Sequence, residues 1–164
     1  REIAFLGGTQ EHDSSSENRL GGYLAALADA GITRRDALIL PGEYSFDSGS
    51  ERTSQLLGLQ QAPSAIFACN DEIASGALFA ARIKQVAVPQ QLSIVGFEDS
   101  PFSRQSWPKL TTAHQPNSEI AAGAARILIE NIRSSRQGKQ GDSPARLGFK
   151  PELVVRDSTC PAPT

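Results

Sequence analysis

The sequence has no methionine, one tryptophan, two histidines and two cysteines in 164 residues. Without methionine, the chain is expected to be a piece of something longer or a processed product. Its opening, Arg1-Glu2-Ile3-Ala4, is neither a signal peptide nor a transit peptide. No apolar run approaches the ~18 residues a membrane helix needs, so no membrane partner is expected. No Lys/Arg run exceeds Arg34-Arg35, and the net charge is −2. Affinity for a phosphate backbone needs clustered positive charge, so this chain carries no nucleic-acid surface of its own. Cys69 and Cys160 make neither a disulfide framework nor a zinc site. Cys69 sits in an apolar run and reads as a small buried hydrophobe, which fits a reducing compartment.

Catalytic patterns are missing as well. Gly7-Gly8-Thr9 lacks the glycine spacing of a dinucleotide loop, and no Lys-Ser/Thr follows it. His12 and His114 are far apart, with no HExxH or nucleophile elbow around them. The serines of Asp13-Ser14-Ser15-Ser16 read as a flexible or ligand-lining loop. Glu98 and Asp99 carry acid–base groups in principle, but adjacent residues point in different directions. No catalytic residue, metal ligand or cofactor site is assigned.

What is present is an α/β alternation. Apolar content of 39% and charge of 21% are ordinary for a globular chain, and the length suits one domain. Residues 2–7 (EIAFLG) form a first strand, followed by a polar loop over 9–17. A helix capped by Asn18 or a nearby serine carries Leu20, Tyr23, Leu24 and Leu27, and Gly31 stops it. Residues 37–40 (ALIL) form a second strand. A turn-like stretch runs to about Ser48, and a weak helix with Leu56, Leu57 and Leu59 leads to Pro63. Ile66 to Cys69 is a buried strand, and Ile73, Ala74, Ala77, Leu78 and Ala81 mark the amphipathic helix after it. Residues 92–97 (LSIVGF) form a fourth strand. This order predicts right-handed crossovers and a parallel sheet covered on both sides. Beyond Pro108, residues 110–115 are extended, and Asn117 caps a helix bearing Ile120, Ala124, Ile127, Leu128 and Ile132. Residues 146–156 read as edge strand with Pro151 limiting the pairing, and 158–164 as a frayed tail.

Ligands of open α/β sheets sit outside the carboxyl ends of the strands. Three such ends expose polar groups: Arg19 after the first strand, Asn70-Asp71 after the third, and Glu98-Asp99 after the fourth. A guanidinium, a carboxamide and carboxylates suit a polyhydroxylated, sugar-like ligand better than a phosphate. Each has a structural alternative. Asp71 caps its helix or meets a ligand; Asn70 is a turn residue or a ligand contact. Glu98 and Asp99 form a solvated turn or a cap before Pro101, or bind; Arg19 is solvated or binds.

Four stretches resemble the LacI/GalR family of bacterial repressors. Residues 65–77 (AIFACNDEIASGA) are similar to its AIFAANDxxAxGA signature, and 88–99 (VPQQLSIVGFED) to VPxDISVVGFDD. Residues 108–116 (PKLTTAHQP) resemble PPLTTVRQP, and 19–23 (RLGGY) resemble RLxGF. The resemblance implies a Rossmann-like, three-layer α/β lobe with a parallel sheet, of the periplasmic-binding-protein-like type I sensor. Two such lobes enclose an effector cleft behind a helix-turn-helix. This chain would hold the C-terminal lobe over 1–108 and 145–157. Residues 109–135 would cross back to the N-terminal lobe, 136–144 would link, and 158–164 would form the tail. By the resemblance, Arg19, Asn70 and Glu98 contact the effector, and Asp71, Asp99 and Gln115 support the site. Glu98 replaces the family's Asp, and its longer side chain brings the carboxylate farther into the cleft. The implied partners are a sugar or sugar derivative, a second copy in a homodimer, and operator DNA through a domain outside this chain. Dimer contacts would come from the helix after Asn70-Asp71 and from 101–107, with Trp107 at a lobe interface or in the cleft. The helix from Asn117 is expected to cover its apolar side against its own lobe or a second chain. A cytoplasmic regulator is the expected identity; a periplasmic sugar-binding protein of a transporter is the alternative, and a flavodoxin-like enzyme domain lacks its phosphate loop.

Overall fold

The computed structural model describes residues 2–8, 14–136 and 147–161. Residues 9–13, which include His12, and 137–146, which hold most of the expected linker, lie outside the described residues, as do 1 and 162–164. The chain divides into two units, Arg1–Ala113 with Leu153–Thr164, and His114–Glu152. The first unit keeps residues 109–113, which the resemblance assigned to the crossing segment.

Chain order gives β1 (Ile3–Leu6), α1 (Ser14–Asp29), β2 (Ile39–Leu40), α2 (Phe46–Leu56), β3 (Ala65–Ala68), α3 (Asp71–Ile83), β4 (Ser93–Glu98), α4 (Pro101–Gln105), β5 (Thr111–His114), α5 (Asn117–Arg136) and β6 (Glu152–Val154). The sheet runs β2-β1-β3-β4-β5-β6. β1 pairs in parallel with β2 and β3, and β3 with β4, with Ala4 opposite Ile66 and Ile66 opposite Ile94. The carboxyl ends of β1, β3 and β4 therefore open on one rim.

Alternation along the strands separates two faces. Ala4, Leu6, Ile66, Ala68 and Ile94 are buried with Leu56, Ile73, Ala74, Ala77 and Ala81 of α2 and α3. On the other face, Phe5 meets the α1 residue Tyr23 with ring centroids 5.3 Å apart. The Tyr23 hydroxyl donates to the Ile3 carbonyl at 2.8 Å. Parallel sheets are normally buried on both faces, yet α1 covers this one only in part. Phe67, Val95 and Phe97 are half-buried there, and with Ile3, Tyr23 and Leu27 they line a groove of about 840 Å³.

The helices depart from expectation at their ends. α1 begins at Ser14, so Asn18 lies inside it and its cap falls outside the described residues. Gly31, at φ 64°, stops it as expected. α2 begins at Phe46, within the stretch read as a turn, with the Ser45 hydroxyl accepting from the Ser48 N–H at 3.2 Å. A Cβ on Gly49 would collide with the Ile73 carbonyl, and one on Gly76 with the Phe46 carbonyl. α2 and α3 thus approach backbone to backbone, and that packing makes a helix of a polar sequence.

The end of the chain is better anchored than a frayed tail from Ser158. The Ser158 hydroxyl donates to the Ile94 carbonyl at 2.6 Å and accepts from Thr111 N–H at 2.8 Å, fully buried. In the second unit, Gly123 is buried, and a Cβ there would stand 2.9 Å from Leu147 Cδ1. Ile120 and Ile127 are half-buried, but Leu128, Ile129 and Ile132 are 60%, 48% and 45% exposed.

Candidate functional site

The rim is built from strand ends whose next residues turn away from the ladder. Asn70, at φ −145° and ψ 173°, is the N-cap of α3, and its side-chain oxygen accepts from Ile73 N–H at 2.9 Å. The cap expected of Asp71 is therefore made by Asn70. The carboxamide nitrogen of Asn70 has no hydrogen-bond partner among the described residues, so its two donors remain available.

Asp71 is fully buried. Its Oδ1 accepts from the Thr112 hydroxyl at 2.6 Å, and its Oδ2 from Ser100 N–H at 2.7 Å. Burial raises its pKa, the bonds from Thr112 and Ser100 pull it back, and the Asp99 charge adds to the rise. Gly96 of β4 leaves room for this carboxylate, since a Cβ there would strike Asp71 Oδ1. Asp71 thus ties the end of β3 to the turn after β4 and to β5, and presents nothing to a ligand.

Glu98 and Asp99 have φ of 109° and 57°, a left-handed pair that side-chain-bearing residues rarely adopt. Such strain persists where the surroundings over-determine it, and it concentrates at ligand sites. Asp99 is held by the Arg156 guanidinium at 2.6 Å and the Ser103 hydroxyl at 2.9 Å, with Arg104 at 3.6 Å. Burial pushes its carboxyl up, but the hydrogen bonds from Arg156 and Ser103 and the charges of Arg156 and Arg104 outweigh this and hold it below the usual range. Glu98 is half-buried and its carboxyl accepts no hydrogen bond among the described residues. Burial raises its pKa, the Arg19 charge lowers it, and Asp71 and Glu72 raise it further.

Arg19 projects from α1. Its Nη1 donates to the Cys69 carbonyl at 2.7 Å, and its guanidinium carbon stands 4.1 Å from the Phe97 ring centroid. Stacking on an aromatic face fixes the fork while leaving its other N–H groups free. Arg19, Asn70 and Glu98 therefore form one set around the ends of β3 and β4, with Asp71 and Asp99 bracing it. Gln115 belongs to the second unit and is half-buried there. Among the described residues no group of three or more His, Cys, Asp and Glu side chains is placed to hold a metal.

Three participants carry no signal in the sequence reading. Arg52, 6% exposed, donates from one guanidinium to the carbonyls of Gly7, Leu40, Glu43 and Ser48 at 2.7, 2.8, 3.1 and 3.0 Å. It joins the ends of β1 and β2 to the loop before α2, and burial lowers its pKa. Thr112 and Arg156 are the others; Thr112 and its partners Asp71 and Asp99 lie in quoted motifs, but Arg156 does not. Away from the rim, Phe79, Phe102 and Trp107 are 48%, 46% and 82% exposed and line a second groove with Phe46, along α3 and α4. Trp107 is placed there, with Phe79 and Phe102.

With donors from Arg19 and Asn70 and an acceptor in Glu98, this rim suits a ligand with several hydroxyls. Residues 1–159 match the model of the periplasmic binding protein-like domain. The chain belongs to that family. Within it, the similar proteins are LacI-type regulators. The HTH-type transcriptional regulator DegA of Bacillus subtilis is 38% identical over 92% of this chain and 43% of its own length. The HTH-type transcriptional repressor PurR of Actinobacillus pleuropneumoniae is 38% identical over 96% of this chain and 46% of its own. Among solved structures, a transcriptional regulator CelR–cellobiose complex superposes with a TM-score of 0.88 at 30% identity, covering 96% of this chain and 46% of that one. A LacI-family regulatory protein from Chloroflexus aggregans gives 0.84 at 32%, over 97% and 55%. The chain thus spans less than half the length of these curated relatives, and it corresponds to part of the effector-binding domain of a LacI-family regulator.

Proposed function

We propose that this chain is the sensing and dimerising part of a cytoplasmic transcriptional regulator, not an enzyme, and that its effector is a neutral sugar or sugar derivative. The observation that carries the reading is the rim set: Arg19 held on Phe97, the Asn70 carboxamide nitrogen and the Glu98 carboxyl, the latter two without a hydrogen-bond partner among the described residues. The Glu98 carboxyl stands beside the Arg19 guanidinium at this rim and offsets its charge, which favours a hydroxyl-rich neutral ligand over a phosphate. The cellobiose bound by a similar regulator is of that class. Ligand binding biases two states only by its differential affinity for them, typically a coupling of about 1–3 kcal/mol, and here the output is operator binding through a separate helix-turn-helix. The exposed Phe79, Phe102 and Trp107 form the face for a second copy.

The test is a calorimetric titration of the full-length protein with cellobiose, other neutral mono- and disaccharides, sugar phosphates and nucleobases. Saturable binding of a neutral sugar that changes operator affinity supports the reading. Binding confined to phosphorylated or nucleobase ligands overturns the sugar assignment.

A further inference from the structure

The Glu98–Asp99 turn is left-handed at both residues, and no side-chain hydrogen bond among the described residues holds Glu98 there. Asp99 is held at its backbone, whose N–H donates to the Thr112 hydroxyl at 3.4 Å, and at its carboxylate, where the shortest hydrogen bond among the described residues comes from a residue 57 positions away. Arg156 Nη2 donates to Asp99 Oδ1 at 2.6 Å, with side-chain exposures of 15% and 9%. The same guanidinium uses Nη1 on the Leu110 carbonyl at 2.8 Å, and the Arg156 backbone N–H donates to the Thr111 hydroxyl at 2.9 Å. Arg156 is thus seated on β5 before it reaches Asp99. Ser103 donates to the same oxygen of Asp99, and exposed Arg104 stands at 3.6 Å from the other. One residue along, Ser100 N–H donates to Asp71 Oδ2 at 2.7 Å, which continues the chain of contacts to the start of α3.

We propose that Arg156 is a positioning residue for the effector site: through Asp99 it holds the left-handed turn that sets where the Glu98 carboxyl stands. The segment after β6 then governs a ligand contact it does not touch, and any shift of that segment is felt at Glu98. A charge-assisted hydrogen bond between two largely buried groups is strong and geometrically demanding, whereas the exposed Arg104 contact is weak. Lysine cannot replace a fork that serves a carbonyl and a carboxylate together. This proposal rests on the reading of Glu98 as an effector contact.

The experiment compares full-length wild type with Arg156→Met, Arg156→Lys and Asp99→Asn. Amide hydrogen exchange reads the turn, and titration with cellobiose as the neutral disaccharide probe reads the site. Arg156→Met is expected to speed exchange of the Ser100 amide at least tenfold, while the Cys69 amide, bonded to Leu6 O at 2.8 Å within the sheet, keeps its rate. Arg156→Lys should recover part of that protection, and Arg156→Met with Asp99→Asn together should add little to either alone. Cellobiose affinity should fall at least fivefold in Arg156→Met. Unchanged exchange at Ser100, or an equal acceleration at Ser100 and Cys69, overturns the positioning role. If wild type ignores cellobiose, the sugar reading fails while the exchange comparison still decides the role of Arg156.

Discussion

Asn70 does two jobs with two ends of one carboxamide, and substitution separates them. Its oxygen accepts from Ile73 N–H at 2.9 Å, closing the first turn of α3, while its nitrogen has no partner among the described residues. Replacing an N-cap Asn by Ala costs about 1 kcal/mol, within a range of roughly 0.5–2. For a chain of this size that corresponds to a fall in Tm of about 2–4 °C. Ser is as good a cap as Asn, so Asn70→Ser is expected to keep stability within about 0.5 kcal/mol. Both variants delete the amide donors. A neutral hydrogen bond is worth about 0.5–1.5 kcal/mol, so each is expected to weaken effector binding by roughly 2- to 13-fold per lost bond at RT ≈ 0.59 kcal/mol. Thermal unfolding reads the first effect and calorimetric titration of the full-length protein the second. A stable Asn70→Ser that binds like wild type would refute the reasoning, because Asn70 would then be a cap and nothing more.

Asp71→Ala leaves the buried Thr112 hydroxyl and the Ser100 N–H without their acceptor. At about 1–3 kcal/mol for each unsatisfied group, urea denaturation should show a loss of roughly 2–6 kcal/mol; a loss below 1 kcal/mol would contradict the bracing role. The pH dependence follows from signs. Asp99, held below its unfolded value, contributes stability that is full above the unfolded pKa and is lost as pH falls through the folded one. Asp71 and Glu98, raised by burial, act oppositely: their charged forms cost stability above their folded pKa values, and acid relieves that cost. The stability difference between wild type and Asp99→Asn should therefore shrink as pH drops below about 4, and a difference independent of pH would show that the Arg156 pair contributes nothing electrostatic. Phe79→Glu places a charge in the α3–α4 groove and should weaken self-association at least tenfold by sedimentation, with Tm of the monomer little changed because Phe79 is 48% exposed.

The first four strands were legible because each lies in a short apolar run, and the helices after β1 and β3 switch to a 3.6-residue period. α2 was not, because Phe46–Leu56 is polar and its helix depends on Gly49 and Gly76 allowing two backbones to touch. A glycine in a polar stretch looks like a turn until its partner is known. The rim residues were legible as a group, since topology alone puts strand ends together, but their division of labour was not. Asn70 and Asp71 are neighbours of similar size, both buried, and only the helix start at Asp71 decides that Asn70 caps α3 while Asp71 bridges to Thr112 and Ser100.

The hidden residues share a cause. Arg52 reaches Gly7 across 45 positions and Arg156 reaches Asp99 across 57. In one dimension Arg52 is a charged residue among polar ones and Arg156 one at the end of an apolar run, and a charge ordinarily means a solvated surface. In three dimensions Arg52 is buried and Arg156 largely so, with the donors of each shared among strand ends. A buried charge is tolerated only when its hydrogen bonds are met, so each of these arginines requires the loops around it to keep one geometry. Arg52 does this for the ends of β1 and β2, and Arg156 for Leu110 and for Asp99 beside Glu98, so both brace the sheet behind the candidate rim.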